Sequence, residues 1–371
     1  MNIIELITLP WSQDPDADLL IRIRFQGRWL KHHSLTQARL REVLAIVDHF
    51  RSLFLHPLPA ELEQTALIST GIELFDAWLA PSWPFLQTRI VPGEDLFLVV
   101  QSPLPEIILL PWELLRPPTH LPWIGNRGWS IRRKGGTPRT PHRFFHLHPP
   151  SPLKILATFP PHPPSAARHH RRIPPPLNQE MVELHWEPSG SFAGLLQEVH
   201  RLQPKGLILD GTTLVRANRG FFQFIDEGGN PDPRSGQEIA TPELKESGIE
   251  LLIILGQAPP GGPPPWSATA LLADELANNG IPITMAWPDP STCSSSRNVV
   301  PITEKAEMAD VQGPPLMDNV LLSVFLKALA QGVPIDAALD RGRRESTPQQ
   351  PPLRSPSVVI PLVFGALPAL S

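Results

Sequence analysis

A chain of 371 residues with 41% hydrophobic content carries enough apolar material for one large domain or two ordinary ones, which excludes a wholly disordered polypeptide. A formal net charge of -4 gives no global pull toward nucleic acid or an anionic membrane, so any basic patch has to be local. The single cysteine excludes an internal disulfide and a Cys-rich metal site, and it fits a reducing, cytoplasmic setting.

The amino terminus, MNIIELITLPW, lacks the basic region and the small-residue cleavage site of a secretory signal. No apolar run reaches the roughly 20 residues of a membrane helix, and the closest, Val358 to Leu370, is broken by Pro361 and Pro368. From Asp18 to Phe25 apolar and basic residues alternate, which predicts a strand, with a turn at Gly27-Arg28 into a second. Leu35, Ala38, Leu40, Val43, Leu44, Val47 and Phe50 fall at helical spacing within Ser34 to Phe54, with Ser34 as the expected cap. A second helix is predicted over Ala60 to Leu79. Glu94 to Gln101 and Glu106 to Leu110 flank Ser102-Pro103-Leu104-Pro105, a pattern that predicts a hairpin.

That hairpin would run into Pro111-Trp112-Glu113-Leu114-Leu115. Apolar flanks predict burial for Trp112 and Glu113, so we assign both to architecture, with backbone amides or Arg132 as the partner of the carboxylate. Further on, Arg132 to Pro176 is dense in Pro, Arg and His. His142, His146 and His148 have ligand-like spacing, but Pro149-Pro150 opposes a helix past them and no carboxylate accompanies them, so no metal site is assigned. The basic run Arg168 to Arg172 is short and lies among prolines; it reads as a solvated linker, and no nucleic-acid partner is expected.

Two wholly apolar runs dominate the remainder. In Lys205 to Thr213 (KGLILDGTT) the run stops at Asp210-Gly211, and in Ile249 to Leu255 it stops at Gly256-Gln257-Ala258. Both read as buried parallel strands, and open α/β sheets place their sites at such carboxyl ends. Asp210, Gly211, Thr212, Thr213, Gly256, Gln257 and Ala258 are therefore the expected lining of one cleft. A strand at Phe221 to Ile225 is followed by a polar insertion from Asp226 to Glu238. Phosphate-loop, GxGxxG, GxSxG and HExxH motifs are absent, so no cofactor is expected.

An apolar stretch ending in LPWELL, with a later strand ending in Ser130-Ile131-Arg132, resembles the CHAT domain, a caspase-related family common in bacteria. Other segments are similar to the family in chain order. Leu153 to Pro160 resembles its first core strand, and Glu180 to Leu184 the helix bearing its acidic residue. Gly280 to Pro288 is similar to a later strand, Phe325 to Arg344 to the closing helix, and Pro356 to Gly365 to the terminal strand. The resemblance implies a caspase-like α/β fold, a mainly parallel sheet with helices on both faces, preceded by an α+β amino-terminal region. It further implies three parts: residues 1–135 ending in the PWELL segment, a Pro/His/Arg-rich connection over 136–176 that contains the first core strand, and a caspase-like core over 177–371.

The family's chemistry departs at two positions. Its first site strand ends roughly in HFDGHG and its second in LNAC, which supply a His and a Cys. Here the matching segments place Thr212 at the His and Ala258 at the Cys. A thiolate paired with an imidazole attacks a peptide; threonine and alanine at those places supply neither partner. The resemblance thus implies a pseudo-peptidase acting as a protein-binding or regulatory module with an unidentified protein partner. The alternative is an active cysteine peptidase with a displaced nucleophile, Cys293, in the Ser-rich loop after Trp287.

Overall fold

The structure is a computed structural model and describes residues 2–10, 18–55, 60–91, 94, 96–117, 129–135, 144–145, 152–159, 181–259, 266–288, 317–346, 362–365 and 367–368. The chain opens with β1 (Asn2–Pro10), β2 (Leu19–Phe25), β3 (Arg28–Trp29) and β4 (His33–Leu35). Alternation in β2 buries Leu19, Ile21, Ile23 and Phe25 and turns Arg22 and Arg24 to the other face, the period of two expected of a half-buried strand. Gln26 and Gly27 both adopt positive φ, 47° and 79°, which gives the tight twisted turn between β2 and β3.

Helix α1 (Gln37–Leu55) buries Leu40, Val43, Ile46, Val47 and Phe50 along one stripe. Its cap is Thr36, whose hydroxyl accepts from Arg39 N at 3.3 Å; Ser34, the expected cap, belongs to β4. After α2 (Ala60–Trp78) and the short α3 (Trp83–Leu86) comes β5 (Leu96–Ser102), buried along its whole length. The expected hairpin partner of β5 does not form. Pro105 occupies the first turn of a short helix, α4 (Pro105–Ile108), where its fixed φ favours helix and its missing N–H costs nothing, and Ser102 Oγ accepts from Leu104 N at 3.0 Å.

Then follow β6 (Trp129–Gly135), β7 (Phe144–Phe145), β8 (Leu153–Thr158) and β9 (Val182–Glu187). Of the helix expected at Glu180 to Leu184, Val182 to Leu184 are strand, and Glu180 lies outside the described residues. VELHWE carries β-prone Val and Trp and pairs in parallel with β8, and the chain turns helical only where the Ser191 hydroxyl caps α5 (Phe192–Leu202). Beyond it come β10 (Gly206–Arg216), β11 (Arg219–Ile225), β12 (Pro231–Ser235), α6 (Gly236–Ile239), α7 (Pro242–Glu246) and β13 (Leu251–Gln257). Next are α8 (Trp266–Asn278), β14 (Ile283–Pro288), α9 (Met317–Ala330), α10 (Ile335–Ser346), β15 (Leu362–Gly365) and β16 (Leu367–Pro368). The single closing helix expected over Phe325 to Arg344 is two helices. Gly332, at φ 77°, ends α9 with Val333 N donating back to Ala328 O, and Pro334 opens α10.

Among the described residues one mixed sheet of 14 strands carries everything but the β7–β16 pair. Its main path is β12-β11-β10-β13-β14-β15-β6-β5-β1-β2-β3, and the pairings at its centre, β10–β13 and β13–β14, are parallel. β15 is antiparallel to β14 and parallel to β6, so it knits the amino-terminal strands to the later ones. Helices cover both faces. On one, α8 is held by Thr213 Oγ1 to Thr269 Oγ1 at 3.0 Å and by Thr284 Oγ1 donating to Ala273 O at 2.7 Å. On the other, α10 reaches β6 through Arg132 and Asp336, 2.6 Å apart. No helix among the described residues is long and apolar enough to cross a membrane.

Candidate functional site

The Asp-Gly step does not end its strand. β10 continues through Asp210-Gly211 to Arg216, because Gly211 stays in extended backbone and the next residues, Thr212, Thr213, Leu214 and Val215, are β-branched or apolar. One edge of β10 is shared between two strands. Gly206 to Leu209 pair with Ile155 to Thr158 of β8, and Thr213 to Arg216 pair with β11, so the sheet forks beside Asp210, Gly211 and Thr212. Along the other edge β13 runs across the fork in register, with Asp210 opposite Leu255, Gly211 opposite Gly256 and Thr212 opposite Gln257.

Alternation then sorts the side chains. Asp210, Thr212 and Gln257 share one face, where Gln257 Nε2 donates to Asp210 Oδ1 at 3.0 Å. Thr213 turns to α8 on the opposite face. Gly256 faces α8 as well, and a Cβ built there would lie 1.9 Å from Thr269 Oγ1, so this strand can approach the helix only without a side chain. Asp210, Thr212, Thr213 and Gln257 are all buried.

The branch leaving at Leu209 adds a second set of polar groups. Glu187, 1% exposed, accepts from Thr158 Oγ1 at 2.8 Å, Ser189 N at 2.7 Å, Gly190 N at 2.8 Å and the Ser189 hydroxyl. Its four acceptor sites are filled, which fixes the loop after β9; Gly190 O in turn accepts from Ile225 N of β11 at 3.1 Å and ties the two branches together. Thr158, Glu187 and Thr269 were not singled out from the sequence. Nothing local marks them, since β8 and β9 enter the site through parallel pairing of segments far apart in the chain.

The structure therefore brings together the residues expected at the two strand ends, with Ala258 directly following the Thr212–Gln257 pair along β13. A carboxylate, a primary amide and hydroxyls meet at this place, all of them buried. A proton acceptor and a thiol of the kind a cysteine peptidase needs are not among these residues. Cys293, His142, His146, His148 and Arg168 to Arg172 lie outside the described residues.

Pro111 to Leu115 lie elsewhere, in the joint between the amino-terminal strands and the rest. Trp112 is fully buried, packs edge-on to Trp78 with ring centroids 5.2 Å apart, and donates Nε1 to Ile107 O at 2.8 Å. Glu113 is buried as expected, but its partner is Arg133, not Arg132: Nη1 and Nη2 reach its two oxygens at 2.6 and 2.5 Å. Strand parity explains the difference. Ile131 is buried, Arg133 lies two residues on and shares its face, and Arg132 points to the opposite face and Asp336. Burial lowers the Arg343 guanidinium below its ordinary range at the margin of this cluster, with Glu113 and Asp340 opposing the shift.

The fold thus defines an α/β protein whose candidate site is a forked, buried strand junction. Comparison with protein-family models and with curated proteins finds no match to this chain.

Proposed function

We propose that the chain is a caspase-like protein of the CHAT kind that lacks the peptidase dyad and acts as a protein-binding or regulatory module rather than as a peptidase. The observation that carries this reading is the register of β10 on β13, which sets Thr212 and the Gln257-Ala258 step side by side. Those are the places where the resemblance implies His and Cys. Two strands that pair in this register, with neither partner of the chemistry present, support retained architecture and lost catalysis.

Supporting this reading, several segments form the elements that the resemblance implies in chain order: strands at Leu153–Thr158 and Ile283–Pro288 and a closing strand at Leu362–Gly365. Against it stand the segment expected as a helix near Leu184, which belongs to the strand Val182–Glu187, the single closing helix, which is two, and β10, which runs on past Asp210-Gly211. Intact-mass measurement after incubation with thiol-directed peptidase inhibitors tests the reading. The expected result is no more labelling of Cys293 than of an ordinary surface thiol; rapid stoichiometric labelling there would promote a displaced-nucleophile peptidase.

A further inference from the structure

The far edge of the sheet carries a second surface of defined chemistry. Among the described residues β3 has one strand neighbour, β2, and nothing pairs with its outer side. Leu30 N donates to Ile23 O at 2.8 Å, so the alternation of an antiparallel ladder turns the main-chain groups of Trp29 and Lys31 outward. An outward row of N–H and C=O groups is valence for another extended chain.

Both faces beside this edge carry arginine against an aromatic ring. On one face Trp29, 47% exposed, has the Arg22 guanidinium 4.1 Å and the Arg24 guanidinium 5.2 Å from its ring centroid. On the other a groove of about 490 Å³ is lined by Phe25, Gln26, Arg28, Leu30, Phe85 and Arg89. Phe25, Leu30 and Phe85 supply its apolar lining and Arg28 and Arg89 its cations, the latter 4.0 Å from the Phe85 ring centroid. Glu5 neutralises Arg24, but no residue lining the groove is acidic.

We propose that this edge takes up an extended, acidic segment of a partner protein by strand addition, with an apolar side chain in the groove and carboxylates on Arg28 and Arg89 on one face and near Arg22 on the other. An extended segment sends successive side chains to opposite faces, and each face here offers cations beside an aromatic. Two other occupants fit less well. Stacked bases need open ring faces, whereas guanidinium groups already lie over Trp29 and Phe85. A second copy of this edge would set Arg28 against another arginine-rich surface. The surface is remote in sequence from the cleft, and the inference does not rest on the reading of that cleft.

Fluorescence anisotropy on the full chain tests it, with a labelled peptide rich in Glu and bearing Phe as the probe. Three controls accompany the probe: the same peptide N-methylated at alternate amides, a version with Lys for Glu, and a single-stranded oligonucleotide. The exposed pair is altered as Arg28→Glu with Arg89→Glu, and circular dichroism verifies that the variant is folded. The acidic peptide should bind, at least about tenfold more tightly than its N-methylated form and at least about tenfold more tightly to the parent than to the variant, while the Lys peptide and the oligonucleotide bind more weakly than either. Absence of acidic-peptide binding, equal binding of the N-methylated peptide, equal binding by the variant, or preference for the oligonucleotide would each overturn the proposal. Peptidase activity at the cleft would contradict the function proposed above and leave this inference standing.

Discussion

Glu113 illustrates how much depends on the identity of one partner. Had backbone amides held its carboxylate, glutamine would have replaced it at little cost. Held instead by both terminal nitrogens of a fully buried Arg133, it is half of a desolvated ion pair. Removing one charge leaves the other buried without compensation, so both Glu113→Gln and Glu113→Leu should lose about 3–5 kcal/mol in urea unfolding. Trp112→Ala should lose a similar amount, about 3–5 kcal/mol, from the cavity it opens against Trp78. Parent-like unfolding of all three would place the segment at the surface. Asp274 offers a test through pH. Burial raises its carboxyl to about 6, against two hydrogen bonds that favour the charged form, from Gly135 N to Oδ1 at 2.7 Å and from Asn278 Nδ2 to Oδ2 at 3.1 Å. A raised folded pKa means the native state holds the proton more tightly than the unfolded chain. Its contribution is therefore fully present below about pH 4, the unfolded range, and is lost as pH rises through about 6. Asp274→Asn keeps an acceptor for Gly135 and removes the titration. Unfolding of the parent across that window should show an extra loss of about 1–2 kcal/mol that the variant lacks, the smaller figure allowing for partial solvent access.

At the scale of elements, close approach replaces charge as the deciding quantity. Gly71 sits inside α2, where glycine ordinarily costs about 0.5–1 kcal/mol relative to alanine. Here a Cβ would lie 2.0 Å from Leu114 O, and Arg116 N donates to Gly71 O at 3.1 Å, so the PWELL turn presses directly on the helix. Gly71→Ala should therefore destabilise by about 1–3 kcal/mol in thermal unfolding, the reverse of its effect in an open helix. A rise in stability would show that the turn and helix do not meet. Elements with a strong local signature were legible from the sequence: the alternation of β2, the stripe of α1 and the apolar runs of β10 and β13 each follow from period and composition alone. Local rules failed where a neighbour distant in sequence decides. Asp210-Gly211 reads as a turn until β13 and β11 are seen to pair on past it, and the helix that the resemblance implied near Leu184 gives way to a strand because β8 lies alongside. The candidate site was legible as two strand ends, and Thr212, Gln257 and Ala258 do come together. The fork was not, because Thr158 and Glu187 arrive from another branch of the sheet.

Across the whole molecule, continuity depends on β15. Leu362, Val363 and Phe364 are buried, and their strand is the only one among the described residues that bridges β14 and β6. A chain ending at residue 361 should lose its single cooperative unfolding transition and become sensitive to limited proteolysis between the two sets of strands; an unchanged transition would mean that the halves adhere without it. Nearer the centre of that sheet, the register of β10 on β13 juxtaposes Thr212 with Gln257 and the following Ala258, where we propose that peptidase chemistry has been lost. Turnover of a diverse peptide library by the purified chain, read by mass spectrometry beside the Cys293→Ala variant, tests that loss most directly. No cleavage by either protein is expected; cleavage by the parent that disappears in Cys293→Ala would contradict the proposed loss of catalysis.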